Sequence, residues 1–148
     1  MKRVVVIVLS LVGVFLLMQL VPYRVSNPST RHEPAWDSPR TRALVVAACF
    51  DCHSNETKVP WYGKIAPMSW WLNNHVENGR RALNFSEWPQ NPRRARRAAE
   101  TVLRGSMPPS YYTRFGLHSN AKLTPAEKAD LIKGLEATFG PPPADRNR

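Results

Sequence analysis

The apolar positions of this chain form one long run near the start and several short periodic stretches after it. Residues 4–20 are almost uninterruptedly apolar and follow the basic pair Lys2 and Arg3. A helix of this length spans about 26 Å, the short end of a transmembrane helix. Because no A-x-A-like cleavage site ends the run, we favour an uncleaved signal anchor over a cleaved signal peptide for residues 1–21.

The chain between residues 22 and 37 has prolines and polar residues without periodicity, and we interpret it as a linker. Helical signals then begin with Ser38 and Pro39, a hydroxyl cap followed by proline at the first helical position. The helix that they open carries an apolar face and ends at the residues before Cys49. A second helix is predicted from Pro67 to Gly79.

A third helix is predicted from Asn91-Pro92, with Gly105 just beyond its end. Its apolar stripe consists of Ala95, Ala98, Ala99, Val102 and Leu103. The last helix begins at a capping box formed by Thr124 and Glu127 and ends at Gly140. We therefore expect about four short helices over residues 38–140, and a flexible tail at 141–148.

Composition agrees with an all-α domain that is small and basic. The chain has 148 residues, enough for one domain and an anchor, and its 14 prolines favour short helices joined by stiff loops. Its net charge of +10 favours an acidic partner.

The most specific chemical signal is Cys49-Phe50-Asp51-Cys52-His53, which follows the first helix. A C-x-x-C-H sequence is the attachment signature of c-type haem, in which two thiols add to the two vinyl groups of one porphyrin. The adjoining His53 then offers a ring nitrogen to the iron as an axial ligand. We expect one covalent haem c, held by Cys49 and Cys52, and a carbonyl of the loop at 55–66 bonded to the His53 ring N–H.

Other interpretations of the cysteine pair are less favoured. A thioredoxin-like redox pair would lie beside a βαβ pattern, which the sequence does not show. A zinc site needs more ligands than the only two cysteines supply, and no H-x₃₋₅-H pair follows them. A plain disulfide, or two unrelated thiols, remains the third alternative.

The order of these features resembles the cytochrome c fold, and more narrowly a bacterial haem-binding domain family that is c-type-cytochrome-like. The resemblance covers about residues 35–140 and rests on CFDCHSNETKVPWYGKIAPMSWW (49–71), LNFSEW (83–88), GSMPPSYY (105–112) and LTPAEKADLIKGL (123–135). It implies an all-α, cytochrome c-like domain around a covalent haem, preceded here by a transmembrane or signal-anchor helix. It says little about the physiological role.

A second axial ligand is typical of low-spin electron carriers and is often methionine. Met107 is the favoured candidate, because it lies between a helix end and two prolines and matches the Met-Pro of cytochromes c. Met68 is less favoured, since a methionine at a helix start is commonly a core residue. His75, His118 or an open iron site are the other possibilities.

Seven arginines crowd one region of the sequence and suggest a docking surface for an acidic redox partner or for headgroups. The alternative is a solvated helix face partly balanced by Glu100, and one or two of the arginines could instead neutralise haem propionates. Nucleic acid is not expected as a partner of an exported domain. The arginines are Arg80, Arg81, Arg93, Arg94, Arg96, Arg97 and Arg104.

The expected function is electron transfer by a mono-haem c-type cytochrome. By resemblance to c-type cytochromes, the haem domain is expected in the periplasm of a bacterium, on a single pass through the inner membrane at residues 4–20. The alternative location is the soluble periplasm after signal cleavage. We expect no enzyme, because no acid–base or nucleophile constellation accompanies the haem ligands. The alternative function is a haem-based sensor, or a peroxidase-like or gas-binding haem enzyme with an open iron site.

Overall fold

The structure is a computed structural model that describes residues 1–114 and 118–143. Most of the tail expected at 141–148 therefore lies outside the described residues. The α-helices are α1 (Lys2–Met18), α2 (Pro39–Ala48), α3 (Phe50–His53), α4 (Met68–Ala82), α5 (Pro92–Arg96), α6 (Ala98–Leu103) and α7 (Pro125–Phe139). Two 3₁₀ turns lie at Trp61–Lys64 and Ser119–Ala121. Within the described part of the chain there is no β-strand, so the all-α prediction is confirmed, with more and shorter helices than expected.

The predicted helix starts at both ends of the domain are correct. The Ser38 hydroxyl accepts a hydrogen bond from the Thr41 N–H at 3.1 Å and caps α2. At α7 the Thr124 hydroxyl and the Glu127 carboxylate each accept from the other residue's backbone N–H, at 3.2 and 2.9 Å. These caps satisfy amide groups that the first helical turn leaves unpaired.

The expected third helix is broken. Its two halves, α5 and α6, meet at Arg97, whose backbone (φ −89°, ψ −5°) does not continue the helix regularly. Ala99 and Val102 are buried at regular helical spacing from Ala95, while Leu103 is 66% exposed. The prediction that Leu103 belongs to the buried stripe is therefore wrong. Gly105 has φ +71° beyond the end of α6, the left-handed conformation expected for it.

The core lies where α7 packs against α2, α5 and α6. Val45 and Leu131 are completely buried there, and Gly134 allows α2 and α7 to approach closely. A Cβ on Gly134 would lie 1.9 Å from the Thr41 hydroxyl oxygen. Phe85 extends the core, since its ring stacks between Phe50 and Phe139 at centroid distances of 6.1 Å.

The segment at 22–37 is mostly exposed but is attached to the domain at several points. The Arg31 N–H donates to the Ser86 carbonyl at 2.9 Å, and the Trp88 N–H donates to the His32 carbonyl at 3.0 Å. The Trp36 ring lies 5.3 Å from the Phe85 ring. The segment that the sequence indicates as a linker is thus held to the domain by backbone hydrogen bonds and an aromatic contact.

Helix α1 has 17 residues and none of them is buried. Among the described residues, no helix combines the length and apolarity needed to cross a membrane, so the expected transmembrane helix is not supported. The end of α1 is fastened to the domain by Gln19. Its side-chain amide accepts from the Ala66 N–H at 2.9 Å and donates to the Ala66 carbonyl at 3.2 Å.

Candidate functional site

The cysteine–histidine motif is delivered by α2 and forms the single turn of α3. Cys49 ends α2, with its N–H bonded to the Val45 carbonyl at 2.8 Å. The His53 N–H donates in turn to the Cys49 carbonyl at 2.9 Å. Because residues four apart share one face of a helix, Cys49 and His53 are presented together, while Phe50 is buried in the core.

The His53 ring is oriented by a backbone carbonyl. Its Nδ1 lies 2.9 Å from the Leu83 carbonyl oxygen, just beyond the end of α4. Burial lowers the pKa of His53, although the backbone carbonyls of Leu83 and Gly79 oppose that shift. The neutral ring with its proton on Nδ1 therefore has Nε2 available as a metal ligand.

The prediction of which carbonyl accepts from the His53 ring N–H is wrong. The acceptor is the carbonyl of Leu83, and not one from the loop at 55–66. The chain reaches that position because α4 packs on α3 and returns the backbone to the motif, where the Phe85 N–H also donates to the His53 carbonyl at 2.8 Å. Sequence patterns do not reveal a contact between residues that far apart.

A cavity of about 990 Å³ opens beside the motif. Its walls combine apolar side chains with three arginines, a lining that suits a large flat molecule with an acidic edge. Met107 and His53 both line this cavity. The lining residues are Cys49, His53, Ala82, Leu83, Phe85, Asn91, Arg93, Arg94, Arg97, Ala98, Thr101, Val102, Met107, Leu135 and Pro143.

Met107 is placed at this cavity by the end of α6. Its N–H donates to the Thr101 carbonyl at 3.2 Å, as does the Ser106 N–H at 3.0 Å. Two neighbouring amides on one carbonyl tie the segment back onto the helix, and Met107 remains 39% exposed. Met68 lies elsewhere, at the start of α4, where it is 42% exposed and does not line the cavity.

Both cysteines are free thiols that are partly buried. Burial, helped by the neighbouring Cys52 thiol, raises the pKa of Cys49 to about 12. Burial followed by the Asp51 charge raises the pKa of Cys52 to about 11, and the Arg80 charge acts against that rise. Both side chains are therefore protonated at neutral pH, and they are not joined in a disulfide.

The two other candidate histidines have partners of their own. The His75 ring packs on Trp71 at 4.1 Å, and its Nδ1 lies 3.3 Å from the Trp71 carbonyl. His118 stacks on Tyr112 at 4.0 Å, and its Nε2 lies 2.9 Å from the Tyr62 hydroxyl. Neither histidine lines the cavity beside His53. Across residues 1–114 and 118–143, no three His, Cys, Asp or Glu side chains form a cluster that could hold a metal ion.

The arginine cluster divides into groups with different surroundings. Arg93, Arg94 and Arg97 line the cavity, and Arg104 pairs with Glu100 one helical turn away. Arg80 is only 9% exposed and cannot belong to a docking surface. The prediction that all seven form one basic surface is therefore wrong for Arg80, because α4 turns this side chain under the motif.

Sequence reasoning also missed the role of Gly79. The second helix was expected to end there, but α4 continues to Ala82. Gly79 has no Cβ where the helix meets the motif, and a Cβ would lie 2.2 Å from the Cys52 carbonyl oxygen. An isolated glycine inside a helical pattern is the one signal that could have indicated this close packing.

A family model for a haem-binding domain matches residues 13–137 of the chain. That range covers the end of α1, the segment before α2, the motif and most of α7. No curated protein and no solved structure matches the chain.

Proposed function

Because this chain belongs to the haem-binding domain family, we propose that it is a mono-haem c-type cytochrome that transfers electrons. The observation that carries the proposal is the cavity of about 990 Å³ on which Cys49, His53 and Met107 all lie. Those are the residue types needed for a thioether bond and for two axial iron ligands. Most of the remaining wall is apolar or cationic, which fits a porphyrin with its carboxylates.

Each side chain has a distinct task in this proposal. Cys49 and Cys52 would hold the haem through thioether bonds, and His53 would offer Nε2 to the iron while the Leu83 carbonyl orients the ring through Nδ1. Met107 would supply its sulfur to the iron as the other protein ligand. The haem, when bound, supplies the one-electron exchange between Fe(II) and Fe(III), and the protein sets its potential through these ligands and through burial.

The walls of the cavity support the same chemistry. Phe85, Val102 and Leu135 are each at most 3% exposed and keep water from the side of the cavity that faces the core. Arg93, Arg94 and Arg97 lie at its rim, where guanidinium groups can bind carboxylates in the paired geometry that arginine favours.

The proposal extends to location and partner. Covalent haem attachment of this type takes place, by resemblance to c-type cytochromes, outside the bacterial inner membrane, so we place the domain in the periplasm. The apolar residues 4–20 after Lys2 and Arg3 support export and attachment to that membrane. The net charge of +10 supports an acidic redox partner, which the exposed arginines outside the cavity would meet.

The test is the visible spectrum of the purified full-length protein in both oxidation states. An electron carrier with two protein ligands gives a low-spin spectrum in each state and binds carbon monoxide or cyanide slowly. Rapid binding of either ligand to the resting protein would overturn the proposal and favour a sensor or a haem enzyme with an open iron site. The Met107→Ala variant is the matched control, since its iron is expected to bind both ligands rapidly.

A further inference from the structure

Arg80 is the most deeply buried charge near the motif, and the proposed function leaves it without a task. Its guanidinium donates four hydrogen bonds between 2.7 and 3.0 Å. The acceptors are the carbonyl oxygens of Ser54 and Ser26, the side-chain oxygen of Asn27 and the hydroxyl of Thr57. All four acceptors are neutral, so the positive charge is solvated by dipoles but not cancelled.

No carboxylate of the described residues lies within ion-pair distance of Arg80, although four other such pairs are present in that part of the chain. Burial lowers the pKa of Arg80, and the more distant charges of Glu77 and Glu87 act against that shift. An arginine side chain remains protonated at neutral pH even so. Within the described residues the domain therefore keeps a buried positive charge that is hydrogen-bonded to polar groups but has no carboxylate at ion-pair distance.

The position of that charge is fixed relative to the motif. Arg80 Nε is 2.7 Å from the carbonyl oxygen of Ser54, the residue that follows His53. The preceding residue, Gly79, packs directly on the Cys52 backbone. Since α4 and α3 are in such close contact, the backbone that carries Arg80 is held beside the motif.

We propose that the buried positive charge of Arg80 raises the reduction potential of the haem. A fixed positive charge destabilises Fe(III) relative to Fe(II), because the oxidised centre carries one more positive charge. Burial strengthens this effect and protects it from screening by salt. The inference rests on the proposed function only in requiring that haem c is attached at Cys49 and Cys52.

The same contacts give Arg80 a second consequence for the site. It joins Ser26 and Asn27, which precede the domain helices, to Ser54 and Thr57, which follow the axial histidine. Asn27 also donates to the Thr57 carbonyl at 2.9 Å and accepts from the Thr57 N–H at 3.2 Å. This network links the charge to the chain segment that directly follows His53.

The experiment compares reduction potentials of full-length, haem-loaded variants. Arg80→Gln removes the charge and keeps amide donors, whereas Arg80→Lys keeps the charge. We expect the Gln variant to have the lower potential, with the ratio of ferric to ferrous haem at a fixed ambient potential raised roughly tenfold, about 59 mV for one electron. The Lys variant is expected to stay near the wild type. Arg81→Gln is the matched control, because the exposed Arg81 is the next residue of α4.

A second pair of variants tests the charge while Arg80 stays in place. Thr57→Asp adds a carboxylate where the Thr57 hydroxyl now lies 3.0 Å from Arg80 Nη2, and Thr57→Asn adds a neutral group of the same shape. We expect a lower potential for Asp than for Asn. Equal potentials within either pair, or a shift for Arg81→Gln as large as that for Arg80→Gln, would overturn the inference. If covalent haem itself is absent, the haem mass is missing from the denatured wild type, and the proposed function fails instead.

Discussion

A methyl group on Gly79 would lie 2.2 Å from the carbonyl oxygen of Cys52. The two helices α3 and α4 therefore meet at a glycine, and the backbone of the motif rests directly on the backbone of α4. Because an oxygen of the main chain cannot rotate away as the end of a side chain can, the contact tolerates no larger residue. The position of the motif depends on this approach.

We expect Gly79→Ala to destabilise the domain by about 1–3 kcal/mol, as overpacking does where neighbours cannot move. The motif would be pushed away from α4, so the yield of covalently attached haem should fall as well. Denaturant unfolding measures the first effect, and haem absorbance per protein measures the second.

The control for that variant is Gly13→Ala, at a glycine inside α1 that has no atom within 4 Å of its ideal Cβ position. It should leave both quantities unchanged or stabilise α1 slightly. If Gly79→Ala were as stable as the wild type and carried as much haem, the close approach of α3 and α4 would not be essential.

The proposed thioether attachment predicts that denatured protein keeps its haem mass. Replacing both Cys49 and Cys52 by alanine should abolish that retention, because no covalent bond to the porphyrin would remain. Mass spectrometry after extraction with acid and organic solvent measures the result. Complete extraction of haem from the wild type would contradict covalent attachment.

Met107→Ala should remove the weak charge-transfer band that methionine sulfur gives on Fe(III). It should also lower the reduction potential, since a thioether ligand stabilises Fe(II) over Fe(III). Met68→Ala is the matched control, because Met68 has a similar exposed fraction but does not line the cavity. It should keep the band and change the free energy of unfolding by about 0.5 kcal/mol at most. The opposite pattern would make Met68 the ligand.

Acid stability should depend on Glu33. Its carboxylate accepts hydrogen bonds from Arg42 Nε at 2.8 Å, from Arg42 Nη2 at 2.7 Å and from Trp36 Nε1 at 2.9 Å. The Arg42 hydrogen bond is the main cause that holds the pKa of Glu33 below its ordinary value of 4.5. A carboxylate with a lowered folded-state pKa stabilises the protein above the unfolded value, and that contribution is lost as the pH falls through the folded value.

We therefore expect Glu33→Gln to be less stable than the wild type by about 1 kcal/mol at pH 7. The difference should shrink as the pH is lowered below 4.5, where the wild-type side chain takes up its proton. Urea unfolding at several pH values measures both changes, and Glu136→Gln, at an exposed position of α7, is the control. A difference that stays constant down to pH 2 would show that the carboxylate charge is not the cause.

Local signals predicted the parts of the fold that local contacts determine. The cap at Ser38 and the capping box at Thr124 are correct, because each involves residues only three apart. The break at Arg97 was missed, since neither proline nor glycine marks it and the alanine stripe runs through it.

Contacts over long sequence separations could not be predicted in the same way. Leu83 is 30 residues from His53, and it contributes a backbone carbonyl that any residue type would supply. Arg80 was grouped with the possible surface arginines because they crowd one region of the sequence. Its burial depends on four acceptors brought together from distant parts of the chain.

The paired hydrogen bonds between Gln19 and Ala66 fix the orientation of α1 relative to the rest of the domain. Two hydrogen bonds to one residue resist rotation of α1 about the contact, whereas a single hydrogen bond would allow it. Any surface that binds α1 would therefore also set the direction in which the cavity opens. For the electron carrier proposed above, the direction in which the haem edge faces a redox partner would then depend on this contact.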